Sequence, residues 1–163
     1  MVTGIAMCKD ELDIIEHTVR HMASQVDALI VSDNGSTDGT RDALADLARE
    51  LPLTVVDDAE TGYYQSFKTS RLAAIAADQG AEWVVPFDSD EIWYSPFAPR
   101  IADLLSDVKW TSASVITAQL FDHVPTGIDP DVPNPIERIG HRRRKAAPLK
   151  KVECRQRPEV VIH

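Results

Sequence analysis

Cysteine is nearly absent from this chain: two residues, Cys8 and Cys154, in 163. Two thiols are too few for a disulfide scaffold or a four-cysteine zinc site, and Cys8 sits in an apolar run that suits a small buried side chain. Long hydrophobic runs are also missing, since no stretch approaches the roughly 18 apolar residues of a membrane span. The start, Met1-Val2-Thr3-Gly4, lacks the basic opening of a secretory signal, so the cytoplasm is the expected compartment. Glycine is scarce where nucleotide folds need it. The first polar loop, Cys8-Lys9-Asp10-Glu11, contains none, which excludes the G-x-G-x-x-G dinucleotide fingerprint, and no G-x-x-x-x-G-K-[ST] occurs, which excludes a P-loop. Counted from Asp33, the third and fifth positions are Gly35 and Thr37, so a calcium-binding EF-hand loop fails as well.

Positive charge is scarce over most of the chain. The net charge is −9, yet residues 136–163 carry nine Lys/Arg against three Glu, a surplus of +6 that leaves −15 for residues 1–135. The acidic body repels nucleic acid, and the basic segment lacks the interleaved aromatics of a single-strand binding platform. The run His141-Arg142-Arg143-Arg144-Lys145, followed by Lys150-Lys151, reads either as a solvated loop or as a contact for phosphates or an anionic membrane surface, without integral insertion.

What is present is ordinary globular composition, 44% hydrophobic and 26% charged, in a chain the size of one domain. Short apolar runs alternate with helical patterns. Ile5-Ala6-Met7-Cys8 reads as a strand, with Leu12, Ile15, Val19 and Met22 then at helical spacing. Ala28-Leu29-Ile30-Val31 is a second strand, and Ser36-Thr37-Asp38 caps a helix carrying Leu44, Leu47 and Leu51 that stops at Pro52. Leu53-Thr54-Val55-Val56 is a third strand, and Phe67, Leu72, Ile75 and Ala76 mark a helix ending near Gly80. The run Trp83-Val84-Val85-Pro86-Phe87 is a fourth strand. This order predicts an α/β domain, a largely parallel sheet with helices on both faces.

Ligands of such sheets gather at the carboxyl ends of the strands. Three polar clusters fall there: Lys9-Asp10-Glu11, Asp33-Asn34-Gly35-Ser36 and Asp88-Ser89-Asp90-Glu91. Singly, Asp33-Asn34-Gly35 is also a turn former, and Asp88-Ser89-Asp90 also an acidic strand end. Successive side chains of a strand alternate between its faces, so the two aspartates converge on one cation only if they share a face or if the chain bends there. Carboxylate pairs of this kind suit Mg²⁺ or Mn²⁺. Together the clusters outline a crevice with room for a nucleoside at one end and a metal-bound diphosphate at the other.

At this point the chain resembles the family 2 glycosyltransferases of the GT-A fold, on Ala6-Met7-Cys8-Lys9-Asp10-Glu11, Val31-Ser32-Asp33-Asn34-Gly35-Ser36-Thr37-Asp38-Gly39-Thr40 and Trp83-Val84-Val85-Pro86-Phe87-Asp88-Ser89-Asp90-Glu91. It is similar above all to the bacterial subgroup whose D-x-D continues into Glu. The resemblance implies a GT-A-like (Rossmann-like) three-layer sandwich, with residues 1–95 as the donor-binding half of a single domain and 96–163 as an acceptor-side half cut short at its C-terminus. It implies a metal-dependent, inverting transfer from a UDP- or GDP-sugar to a hydroxyl of a carbohydrate or glycan acceptor, with Mn²⁺ or Mg²⁺ opposing the charge on the diphosphate.

On that resemblance, Lys9, Glu11, Asp33, Arg71, Asp88 and Ser89 bind the donor, and Asp88, Asp90 and the late His163 hold the metal. The catalytic base stays unassigned among Asp122, Asp129, Asp131 and Glu137, beside a segment with four prolines (Pro125, Pro130, Pro133, Pro135) that reads as a loop over the acceptor cleft. The final run Glu159-Val160-Val161-Ile162-His163 reads as a strand with nothing to close it, as in a piece of a longer enzyme. Two other classes remain open. A nucleotidyltransferase making sugar nucleotides would release pyrophosphate, and a non-catalytic module would only bind the nucleotide sugar.

Overall fold

The structure is a computed structural model, and it describes residues 1–58, 60, 62, 64–107, 112–124, 134–139, 141–148 and 150–155. His163, Asp129, Asp131 and the expected strand 159–163 lie outside the described residues. The order of elements is β1 (Val2–Cys8), α1 (Ile15–Gln25), β2 (Ala28–Asp33), α2 (Thr40–Leu47), β3 (Leu53–Asp57), α3 (Gln65–Asp78), β4 (Trp83–Pro86), α4 (Ile101–Leu105), β5 (Val115–Gln119), β6 (His123–Val124), α5 (Pro135–Arg138), β7 (His141–Arg142) and β8 (Lys150–Arg155).

Six strands form one sheet in the order β3-β2-β1-β4-β8-β5. The first four are mutually parallel, and β8 enters antiparallel between β4 and β5. β1 and β2 are buried almost end to end, which is why they are written as unbroken apolar runs without alternation. Their side chains still divide by face. Val2, Ala6, Leu29, Val31, Trp83 and Val85 pack with Ile15, Val19 and Met22 of α1, Leu44 and Leu47 of α2, and Ile101 and Leu105 of α4. The alternate residues Ile5, Ile30 and Val84 pack with Leu72, Ala73 and Ala76 of α3 on the other side. Helices therefore cover both faces of the sheet, as expected.

Three details differ from the periodicity. Leu12 is 48% exposed and precedes α1, which starts at Ile15. Helix α2 ends at Leu47, with Leu51 beyond it and half-buried. In α3 the buried stripe is Lys68, Leu72, Ala73 and Ala76, whereas Phe67 is 71% exposed. The basic segment differs in part. Arg142 belongs to β7, paired with β6, and Lys150 and Lys151 belong to β8 inside the main sheet, while Arg143, Arg144 and Lys145 between them are irregular, as expected of a loop.

Gly4, midway along β1, shows how closely the core is drawn around the site. A Cβ there would stand 2.7 Å from Leu29 Cδ2 and 3.2 Å from the ring of Phe87, the residue preceding Asp88. Leu29 and Phe87 are both buried and have nowhere to retreat. Gly4→Ala is expected to destabilise the fold by about 1–3 kcal/mol through overpacking, read as a lower urea midpoint at unchanged m-value.

Candidate functional site

Parallel pairing brings the ends of β1 and β2 level, with Cys8 opposite Asp33. The loops that follow are stitched together. Asp10, at φ 55°, donates its backbone N–H to Ser36 Oγ at 2.9 Å, and its Oδ1 accepts the Thr37 N–H at 2.7 Å. The Glu11 N–H bonds Thr40 Oγ1 at 2.9 Å, and Asp38 accepts from the N–H groups of Leu12 and Thr40 at 3.0 and 2.9 Å and from the Thr40 hydroxyl at 2.6 Å. The Thr40 hydroxyl first, then the backbone donors, hold the Asp38 carboxyl below its ordinary range. The run Ser36-Thr37-Asp38-Gly39-Thr40 is thus a scaffold: it holds Lys9 to Glu11 against the second loop. Cys8 is buried beneath them. Burial first, then the charges of Asp33, Glu11 and Asp38, push its thiol up to about 12, which leaves it protonated and inert near neutrality.

Between the loops and α3 lies a cleft of about 430 Å³. Its walls are Met7 and Cys8 at the end of β1, Lys9 and Glu11 after it, Asn34 after β2, Gly62, Tyr64, Gln65 and Lys68 before and at the start of α3, and Asp88, Ser89 and Asp90 after β4. Five expected residues, Lys9, Glu11, Asp88, Ser89 and Asp90, therefore share one cavity. Asp33, the residue before Asn34 and not itself part of the lining, is 5% exposed. Its Oδ2 accepts the Ser36 N–H at 3.2 Å, while its Oδ1 is buried without a hydrogen-bond partner among the described residues. Such an atom is costly to keep unless something else satisfies it.

Lys68 carries a role that the sequence reading missed. Its side chain is 6% exposed, and Nζ bonds Asn34 Oδ1 and the Glu60 carbonyl and pairs with Asp58 Oδ2 at 3.0 Å, itself only 9% exposed. Asp58 also accepts the Glu60 N–H and donates its own N–H to the Asp33 carbonyl. One buried ammonium so fastens the loops after β2 and β3 to α3. Arg71, expected to hold the donor, lies a turn further on, exposed and outside the cleft lining, where it acts on Asp58 by charge alone. A buried lysine one turn from an expected arginine could have been found only by placing the helical stripe one residue later.

At the other end of the cleft the chain bends after Asp88. The Glu91 N–H closes a turn on the Asp88 carbonyl at 3.0 Å. Glu91 Oε2 accepts the Asp88 N–H at 3.3 Å and the indole N–H of buried Trp93 at 3.2 Å. Lys151, from β8, bonds Asp88 Oδ2 at 2.6 Å and Glu91 Oε1 at 3.1 Å. Burial would lower the Lys151 ammonium, but its bond to Asp88 and the charges of Glu91 and Asp88 outweigh it and hold it above its ordinary value. Glu11 is raised, by burial first, against a hydrogen bond from Ser89 that lowers it, with the charges of Asp90, Asp13 and Asp38 adding to the rise.

Among the described residues no group of three or more His, Cys, Asp and Glu is arranged to hold an ion. The donors still fit one. Asp90 is exposed and makes no hydrogen bond or ion pair among the described residues, and Asp88 Oδ1 is likewise uncommitted. These are hard oxygen donors, few in number, suited to a cation that completes its shell with water and phosphate. With Lys151 counted, the Asp88, Asp90 and Glu91 cluster still carries −2 at neutral pH, a charge that favours a cation's arrival.

S. aureus TarS 1-349 in complex with UDP aligns at a TM-score of 0.53 with 20% identity, over 78% of this chain and 37% of that one. The same protein in complex with UDP-GlcNAc aligns at 0.44 with 22% identity, over 55% and 26%. A further TarS 1-349 structure gives 0.42 and 25%, over 55% and 27%. The chain thus spans between about a quarter and two fifths of these structures. A search of the curated proteins found no match. The 0.53 alignment defines the architecture as an α/β, GT-A-like fold. Residues 5–145 match the sequence profile of Glycosyl transferase family 2, and the chain belongs to that family.

The Lys68–Asp58 pair dictates a pH response. The Lys68 bond first, then the Glu60 N–H and the Lys68 and Arg71 charges, hold the Asp58 carboxyl below its ordinary 3.8 against a smaller rise from burial. A depressed carboxylate contributes stability that is complete above its unfolded value and lost as pH falls through the folded one. Asp58→Asn is expected to cost roughly 1–3 kcal/mol at pH 6, a difference in urea midpoint that narrows only as the pH falls below the ordinary 3.8 toward the lowered folded value.

Proposed function

We propose that this chain is the donor-binding region of a metal-dependent, inverting glycosyltransferase that uses a nucleotide-diphosphate sugar. One observation carries the reading: a single cleft has the uncommitted oxygens of Asp88 and Asp90 at one end, and at the other its wall residue Asn34 follows directly on Asp33, whose buried carboxylate oxygen has no partner among the described residues. The Asp33 oxygen suits an N–H of a nucleoside base, since a buried carboxylate oxygen asks for a donor. The opposite end suits a divalent cation, Mn²⁺ or Mg²⁺, held by Asp88 and Asp90. A cation bound there would supply positive charge against the diphosphate as it leaves the sugar.

The chain's own residues then position and neutralise. Lys68 fixes Asn34 and the loop after β3 along the nucleoside side of the cleft. The turn closed by Glu91 fixes the spacing of Asp88 and Asp90. Inversion requires a base on the acceptor hydroxyl. Of the four candidates two are described, and both are exposed and engaged elsewhere: Asp122 pairs with Arg143 at 3.6 Å, and Glu137 accepts from Asn134 at 3.2 Å. That favours, as a second reading, a region that binds the donor without transferring the sugar by itself. The acceptor on this reading is a carbohydrate or glycan. Exposed Arg142, Arg143, Arg144 and Lys145 offer an anionic acceptor or membrane surface its contact, and the setting is cytoplasmic.

Calorimetric titration with UDP and with GDP, each with Mn²⁺ and with EDTA, tests the reading. One nucleotide is expected to bind, more tightly with Mn²⁺, and Asp90→Ala is expected to remove the Mn²⁺-dependent gain while leaving metal-free binding in place. No binding of either nucleotide under any metal condition would overturn the proposal.

A further inference from the structure

Lys151 is the residue of the acidic end that no loop motif announces. It lies 63 positions after Asp88, on β8, which runs antiparallel to β4 with Trp83 opposite Arg155 and Val84 opposite Cys154. Continuing that register past the end of β4 brings Lys151 level with Phe87, beside the turn of Asp88 to Glu91. Its side chain is 30% exposed, partly withdrawn from water yet open at one side. An ammonium has three N–H donors. Two are accounted for by Asp88 Oδ2 at 2.6 Å and Glu91 Oε1 at 3.1 Å, and the third has no acceptor among the described residues.

The neighbours explain why the ammonium stays. Glu91 is anchored by the Trp93 indole and the Asp88 N–H, so it cannot swing away from Lys151, and Asp88 is tied to Glu91 through the closed turn. Lys151 is not itself among the residues lining the cleft, but it is held as a fixed positive charge against Asp88, which is. Without it, Asp88, Asp90 and Glu91 would present −3 to any incoming ligand. A phosphate oxygen seeks a point positive charge with a free donor, and lysine offers that at modest desolvation cost.

We propose that Lys151 is a diphosphate-binding residue of the donor cleft: held by Asp88 and Glu91, it directs its remaining N–H to a phosphate oxygen of the nucleotide. It supplies a share of phosphate affinity that belongs to the protein and persists when divalent cation is removed. This inference rests on the nucleotide reading above and adds to it a residue from the far end of the chain.

The experiment measures, on one protein preparation, the affinity ratio of a nucleoside diphosphate to its nucleoside: UDP against uridine and GDP against guanosine, in EDTA and in Mn²⁺. Lys151→Met is expected to lower that ratio about tenfold or more in EDTA, the worth of one hydrogen bond to a charged group, with nucleoside affinity unchanged. Lys151→Arg, which keeps charge and donors, is expected to retain most of the ratio. Lys151→Ala, read alongside Lys151→Met on protein that melts in one cooperative transition, guards against a misfit methionine. An unchanged or higher ratio in both Lys151→Met and Lys151→Ala overturns the proposal, because the lysine would then be only a brace for the acidic turn or a competitor of the ligand. Wild-type protein that binds neither diphosphates nor nucleosides overturns the nucleotide reading itself, and the role of Lys151 with it.

Discussion

Strand β1 is the constraint on which the rest of the molecule depends. It is buried on both faces and hydrogen-bonded on both edges, to β2 and to β4, all running the same way. Polar side chains are costly to bury along such a strand, and β1 carries one hydroxyl, Thr3, which finds no hydrogen-bond partner among the described residues, so charged chemistry is displaced to where the strands end. Three parallel strands end on the same side, and their three loops must meet. The cleft follows from the direction and burial of these strands, and its acidity from what the loops carry. Gly4 shows the tolerance: a single methyl group in mid-strand would press on Leu29 and on the ring next to Asp88.

Two lysines then make so acidic a cleft tenable. Lys68 at one end is almost wholly enclosed and has three oxygen partners, the condition under which an ammonium can remain charged out of water. Lys151 at the other is half-withdrawn with two partners. The difference in enclosure separates their work. An ammonium whose donors are all spent on the protein is a fastening; one with a donor to spare is also a contact.

Much of this was legible in the residues. Strands β1 to β4 and the helices between them are local patterns, and the loops Lys9 to Glu11, Asp33 to Ser36 and Asp88 to Glu91 follow from where those strands stop, so both the sheet edge and five of the cleft residues could be read in advance. Phe67 and Lys68 show where local patterning fails. Hydropathy assigns the phenylalanine to the core, yet a lysine stem is apolar and its head found oxygen partners that no hydropathy pattern contains. Arg71, expected only from the family resemblance, lies one turn away and exposed. Lys151 was beyond reach for another reason. Its place depends on an antiparallel pairing across more than sixty residues, and a basic residue in a basic stretch carries no sign of the strand it will join.

That long-range pairing bears on how the protein is made. The chain emerges from its N-terminus, and β1 to β4 are complete by Pro86, but the outer edge of β4 stays unpaired until Lys150 to Arg155 arrive. At synthesis rates of roughly 5–20 residues per second, the 63 residues from Asp88 to Lys151 take about 3–13 seconds. During that interval the nascent sheet exposes an open strand edge flanked by Trp83 and Val84, with the acidic turn beside it not yet neutralised. Like charges beside such an edge oppose its pairing with another chain, and beside the edge of β4 stand Asp88, Asp90 and Glu91.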